Sequence, residues 1–269
     1  MLMEEQLSNF RIKQGRSVFN AYNGINSFSF ALVTGNTITL YALALKANST
    51  VIGLLTAFMY MCYFTIPLGK LMARRFTIVK TFAYTWFLRN TSLLPILFIP
   101  LFYFKGENEA AIFMLLLAVA LFNFFRGAGI VANNPVISLL APGKDRNSYI
   151  VKISLTNNAA ALAAIIFLTV FLWFSPRLGI DIVSTYNINA IIGIITGFAA
   201  SALLLKLPDP DFERRMEAVK EAKTEGKSRK EIKKLKIFCN QNLRCCFNGS
   251  KIKTLTIKPL RASGQVPCC

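Results

Sequence analysis

Three polar residues, Asn123, Arg126 and Asn133, interrupt a long apolar run, and on a helix they fall within about 80° of one another. A charge inside such a helix is costly and marks a candidate functional site. The guanidinium group can hold a carboxylate or a phosphate through two parallel hydrogen bonds, so one interpretation of Arg126 is anion binding. The other is a structural arginine bonded to backbone carbonyls or extended to a membrane interface. Arg89, in another apolar run, is less favoured as a ligand.

A second polar face lies on the first apolar run, at helical spacing. Its members are Asn23, Asn26, Ser27, Phe30, Thr34, Thr37 and Tyr41. In lipid, such a face must turn toward neighbouring helices or toward a water-filled cavity, and the spacing leaves both open. Taken together, the two faces and the fifth apolar run predict a set of solute-binding candidates: Asn23, Asn26, Thr34, Thr37, Asn123, Arg126, Asn133 and Asn157.

The distribution of acidic residues and histidine excludes several kinds of chemistry. The chain has no histidine, and its aspartates and glutamates lie in the termini and loops. The apolar runs therefore offer no proton relay, no metal site and no acid–base pair, so we expect no enzyme, no metal and no cofactor. The net charge of +18 does not indicate a nucleic-acid partner, because the basic residues flank the apolar runs and fill the last quarter, as membrane insertion requires.

The elements that must position these residues are long helices. A hydrocarbon core of about 30 Å needs roughly 20 apolar residues, and six runs reach that length: Ala21–Leu45, Thr50–Met72, Ile78–Phe104, Ala110–Leu140, Tyr149–Phe174 and Tyr186–Leu207. The sequence thus predicts an all-α, polytopic six-helix membrane bundle. The fourth run is too long for one straight crossing, and we expect it to leave the membrane near Asn133–Pro135.

Four regions follow from these runs. Residues 1–20 form a polar cytoplasmic leader, residues 21–207 the membrane domain, and residues 208–236 a charged helical linker. We expect residues 237–269 to be disordered, and their change in composition favours a frame change or a truncated gene. Lysine and arginine are concentrated in the leader and in the second-to-third and fourth-to-fifth loops. The positive-inside rule then places both termini in the cytoplasm of a multi-pass plasma (inner) membrane protein.

Two segments resemble the major facilitator superfamily. The second-to-third loop, Gly69-Lys-Leu-Met-Ala-Arg-Arg-Phe-Thr-Ile, is similar to the family's loop pattern at Gly69 and Arg74, whereas Ala73 replaces the family's aspartate. The fourth run, from Arg126-Gly-Ala-Gly to Pro135, resembles the family's glycine-rich segment. The resemblance covers residues 21–207 and corresponds to the family's N-terminal six-helix half.

This resemblance implies a secondary transporter that works by alternating access, with its cavity built from the first, second, fourth and fifth helices of each half and with the third and sixth outside. Gly69 and Arg74 would form its conformational loop motif. The expected partners are the lipid bilayer and a small polar or anionic solute. An N-terminal half would need a missing C-terminal half. The alternatives are a homodimeric six-helix transporter and a non-transporting membrane scaffold.

Overall fold

A computed structural model describes residues 2–141 and 145–209; the side chains of residues 2–11 and of Arg74 are not described. The regular structure of these residues is helical: α1 (Leu2–Val33), α2 (Asn36–Ala44), α3 (Ser49–Met61), α4 (Ile66–Arg75), α5 (Ile78–Thr91), α6 (Ile99–Phe104), α7 (Asn108–Leu140), α8 (Asp145–Phe174) and α9 (Ile182–Leu204). The all-α prediction is therefore confirmed. The predictions for residues 210–236 and 237–269 lie outside the described residues.

Six candidate membrane spans of 23 to 34 residues are present in the described part of the chain. From first to sixth they are Ile12–Ala44, Ser49–Ala73, Ile78–Phe104, Asn108–Leu140, Asp145–Leu178 and Ile182–Leu204. They confirm the predicted six-helix membrane bundle. The predicted leader, residues 1–20, is continuous with the first span, because α1 starts at Leu2. In the fourth span, α7 runs without interruption through Pro135 to Leu140, and the exit from the membrane near Asn133–Pro135 stays a prediction.

Three of the spans are interrupted, and the sequence analysis did not predict these interruptions. The first span breaks between α1 and α2 at Gly35, whose φ of 59° lies in the left-handed region that glycine adopts readily. The second span tightens into a 3-10 turn at Cys62–Thr65, before a proline that starts α4. The third span does the same at Leu94–Phe98, where a proline stands in the first turn.

The bundle is held together by two hydrophobic clusters at opposite ends of the spans. One cluster joins the part of the first span around and after the break to the starts of the fourth and sixth spans. It includes Tyr41, Leu115, Phe122 and Tyr186. The other joins α1 before the break to the third span and to the end of the sixth, and includes Phe19, Tyr22, Phe82, Trp86 and Leu204. Within this framework α1 packs along α8 and α9, and α7 packs along α3, α4 and α5.

Glycines set how closely these helices approach. The sixth span carries Gly193 and Gly197 four residues apart, and a Cβ atom at either position would collide with side chains of the first or third span. Ser29 on α1 donates a hydrogen bond to the carbonyl oxygen of Gly193 at 2.5 Å. The close packing expected from this spacing is therefore present. It draws the first, third and sixth spans into one tightly packed unit.

Candidate solute-binding cavity

A cavity of about 180 Å³ lies between the first, second and fourth spans. Its polar lining comes from both sides of the helix break in the first span and from one face each of α3 and α7. The lining residues are Phe30, Val33, Thr34, Gly35, Asn36, Ile38, Thr39, Leu55, Thr56, Met59, Leu93, Val119, Phe122, Asn123 and Arg126. Leu93 is the contribution of the third span, and the fifth span contributes no lining residue.

Arg126 is the charged side chain of this cavity. Its guanidinium carbon lies 4.9 Å from the centre of the Phe30 ring, and its Nη1 atom is 3.5 Å from the Oδ1 atom of Asn123. That amide is fixed in turn, because its Nδ2 atom donates to the carbonyl oxygen of Val119 at 2.9 Å. No aspartate or glutamate lines the cavity. The positive charge is therefore positioned by an aromatic ring and an amide but is not neutralised by a carboxylate within the cavity.

The break in the first span adds backbone groups to the same cavity. Gly35 and Asn36, at the break, are lining residues. At the N-terminal end of α2, the first backbone N–H groups have no partner within their helix, and Gly35 offers no capping side chain. Free N–H groups at a helix N-terminus favour negative charge. Arg126 and the start of α2 therefore make the cavity attractive to an anion.

The structure brings three of the predicted residues together here: Thr34, Asn123 and Arg126. The other five candidates lie elsewhere. Asn23 is buried and donates to the carbonyl oxygen of Phe19 at 2.7 Å, and Asn26 and Thr37 are engaged by other spans or by the backbone. Asn133 and Asn157 are half-buried on α7 and α8, away from the lining. The lining residues Asn36, Thr39, Thr56 and Met59 were not among the candidates.

Asn26 belongs to a buried network around Arg89. Arg89 is 1% exposed, and its Nη2 atom donates to Oδ1 of Asn26 at 2.7 Å and to Oδ1 of Asn90 at 3.2 Å. The same Asn26 oxygen accepts from the indole of Trp86 at 3.0 Å, and Asn90 donates to Ser201 at 2.9 Å. The guanidinium also lies 4.8 Å from the Trp86 ring. Arg89 thus ties the first, third and sixth spans together instead of facing the cavity.

Comparison with known protein families identifies the family of this chain. The sequence profile of the Major Facilitator Superfamily matches residues 21–254. The chain belongs to the major facilitator superfamily. Comparisons with curated proteins and with solved structures found no match. Members of this superfamily are transporters rather than enzymes, so the six apolar spans are those of an integral membrane protein from a family that carries solutes across membranes.

The superfamily loop motif has a packing role in this structure. A Cβ atom on Gly69 would collide with the backbone carbonyl of Ala128, so glycine lets the second span approach the glycine-rich segment of the fourth. Ala73, which replaces the family's aspartate, is buried. Thr77 caps α5 and hydrogen-bonds to Asp209, which connects the loop to the end of the sixth span. The side chain of Arg74 lies outside the described part of the structure.

The superfamily pattern and this cavity differ in two places. The pattern implies that the fifth helix lines the cavity, whereas Asn157 and the rest of α8 are absent from its lining. It also implies that the third helix stays outside, whereas Leu93 reaches the cavity and Arg89 lies in the bundle interior. The second difference accompanies the Arg89 network, which joins the third span to the first.

Proposed function

We propose that this chain carries a small anionic solute across the membrane by alternating access, with the cavity around Arg126 as its binding site. The observation that carries this proposal is a guanidinium group that faces a mainly apolar cavity with a few polar groups and no carboxylate in its lining. Arginine can pair with a carboxylate or phosphate through two parallel hydrogen bonds. The N–H groups at the start of α2, which also belongs to the lining, would stabilise the same negative charge.

The size of the cavity supports a small solute. Its volume of about 180 Å³ is below the roughly 300–1,000 Å³ of pockets that enclose a drug-sized ligand. A site of this size suits either a solute of a few heavy atoms or one wall of a larger site. In the second case a facing six-helix bundle would complete the site, as a second copy of this chain or as a separate half. A non-transporting scaffold would need neither the charge nor the cavity.

Substituting Arg126 tests this proposal. We expect Arg126→Gln to weaken binding of the anion about 10- to 100-fold, because it removes one charge-assisted contact. The full-length chain would be purified and screened by thermal shift against small carboxylates and phosphates, and the stabilising compound would then be titrated. Arg177→Gln is the matched control, since Arg177 is exposed and stacks on Trp173 at the far end of the fifth span. Equal affinity of wild type and Arg126→Gln would contradict the proposal.

The orientation of the bundle is a second part of the proposal. With both termini in the cytoplasm, the loop between the third and fourth spans faces outward. A cysteine at the exposed Lys105 should therefore react with an impermeant reagent in intact cells, and one at the exposed Arg146 only after permeabilisation. Both cysteines would be introduced into a variant in which serine replaces the five cysteines that follow residue 237. Cys62 can stay because it is buried. The reverse labelling pattern would overturn this orientation.

A further inference from the structure

A second cavity lies at the other end of the first span, between the start of that span and the start of α8. Its volume is about 390 Å³, and it is separate from the cavity around Arg126, with which it shares no lining residue. All of its lining side chains are polar or charged. They are Lys13, Arg16, Ser17, Asn20, Asp145, Ser148, Tyr149 and Lys152. The transport proposal uses none of them.

The charge of this cavity is positive. Three of its side chains are basic, namely Lys13, Arg16 and Lys152, and one is acidic, Asp145. The Nη2 atom of Arg16 lies 3.3 Å from Oδ2 of Asp145, so the carboxylate offsets one of the three cations and leaves a net charge of +2. Both lysines are exposed. Two exposed ammonium groups and one anchored guanidinium therefore surround the same polar space.

The walls of the cavity are fixed by hydrogen bonds that join α1 to α7 and to α8. Arg16 is anchored because its Nε atom donates to the carbonyl oxygen of Leu140 at 2.7 Å. The Tyr149 hydroxyl donates to the carbonyl oxygen of Arg16 at 3.1 Å. The Thr156 hydroxyl donates to Oδ1 of Asn20, a lining residue, at 3.0 Å. These contacts hold the two helix ends at a set separation, so the cavity is formed before a ligand arrives.

An exposed apolar surface continues from this cavity along α8. Val151 is 66% exposed and Leu155 is 70% exposed, and both lie within one turn of Lys152. This end of the bundle is cytoplasmic in the proposed orientation, and basic pockets between transmembrane helices on that side are typical sites for lipid headgroups. An acyl chain could lie against this surface while its headgroup occupies the polar cavity. A soluble phosphate would use the polar cavity alone.

We propose that Lys13, Arg16 and Lys152 form a binding site for a phosphate group, carried either by an anionic lipid or by free phosphate. The arginine supplies the directed hydrogen bonds and the two lysines supply point charges. The hydroxyl groups of Ser17 and Ser148 lie in the same lining and supply further donors. Asp145 repels the ligand and competes for Arg16, so it limits the affinity. This site is independent of Arg126 and of the transported solute.

The test uses the purified full-length chain in an uncharged detergent. Titration calorimetry would measure binding of inorganic phosphate in one arm and of phosphatidic acid in mixed micelles in the other, with phosphatidylcholine micelles as the neutral reference. We expect the double variant Lys13→Gln/Lys152→Gln to bind roughly 30-fold more weakly. Asp145→Asn should bind more tightly than wild type, a gain that damage to the fold would not produce. Phosphatidic acid alone would identify a lipid site; inorganic phosphate would identify a soluble ligand.

The matched control removes the same charge from elsewhere on the surface. Lys105→Gln/Lys206→Gln also neutralises two exposed lysines, and it should bind as wild type does. Arg126→Gln should also leave this binding unchanged, which separates this site from the proposed transport site. The proposal is overturned if neither probe binds, if Lys13→Gln/Lys152→Gln binds as wild type does, or if the control weakens binding equally.

Discussion

Replacing Arg89 with alanine is expected to lower the free energy of unfolding by about 4 kcal/mol. The substitution removes the hydrogen bonds to Asn26 and Asn90. It also removes the guanidinium contacts with the rings of Trp86 and Phe122, at 4.8 and 4.9 Å. The two asparagine oxygens would then be buried without that donor, and a cavity would remain where the side chain had been. An unfolding titration in mixed micelles would measure the loss.

Arg177 provides the matched control for Arg89. Its guanidinium carbon also lies over a tryptophan ring, 3.9 Å from the centre of Trp173, but the residue is exposed at the end of the fifth span. An exposed cation–π contact contributes about 0.5–1 kcal/mol, so Arg177→Ala should cost no more than that. Similar losses for both variants would show that the buried network around Arg89 does not stabilise the bundle.

Adding one methyl group at Gly127 is expected to destabilise the bundle by about 3 kcal/mol. A Cβ atom there would collide with the backbone carbonyl of Cys62 and the hydroxyl of Thr65. Both belong to the 3-10 turn of the second span, and a backbone carbonyl cannot rotate away as a side chain can. Gly127→Ala must therefore push the fourth span away from the second, and the same unfolding titration would record the loss.

The control for Gly127 is the same substitution at Gly53. A Cβ atom on Gly53 meets nothing within 4 Å, and Gly53 lies inside α3. Alanine is a better helix former than glycine by about 1 kcal/mol, so Gly53→Ala should leave stability unchanged or raise it slightly. Effects of the same sign and size at the two positions would mean that close approach at Gly127 is unimportant for folding.

The number of spans and the helical class could be predicted because both depend on the length of the apolar runs, which the sequence displays directly. The breaks at Gly35 and at the two 3-10 turns could not be predicted in the same way. Glycine and proline are common in transmembrane helices, where neighbouring helices satisfy the backbone groups that they free. A glycine alone therefore does not distinguish a break from a close packing contact, as Gly35 and Gly193 illustrate.

The candidate site could be predicted only in part. Helical spacing shows which residues share one face of a helix, but it does not show how far along the span they lie or which helix packs against them. Asn133 shares a face with Arg126 but lies seven residues further along, about 10 Å away. Thr37 follows the break at Gly35, which resets the helical phase that had placed it beside Thr34. Asn26 faces inward as predicted, but its partner is Arg89. The absence of a carboxylate from the six predicted apolar runs was the available signal that a neutral amide would serve Arg89.

The spans differ in how much of their surface the bundle itself covers. In the most apolar 18-residue stretch of the second and fifth spans, 17% is buried inside the bundle, compared with 44% in the sixth span. Side-chain size in the sixth span is therefore restricted by its own neighbours, as at Gly197, whereas lipid accommodates most apolar shapes. Among homologous sequences, substitutions in the sixth span should therefore be limited to side chains that fit the internal packing of this bundle. Substitutions in the second and fifth spans should depend instead on the lipid or the protein that lies against the bundle.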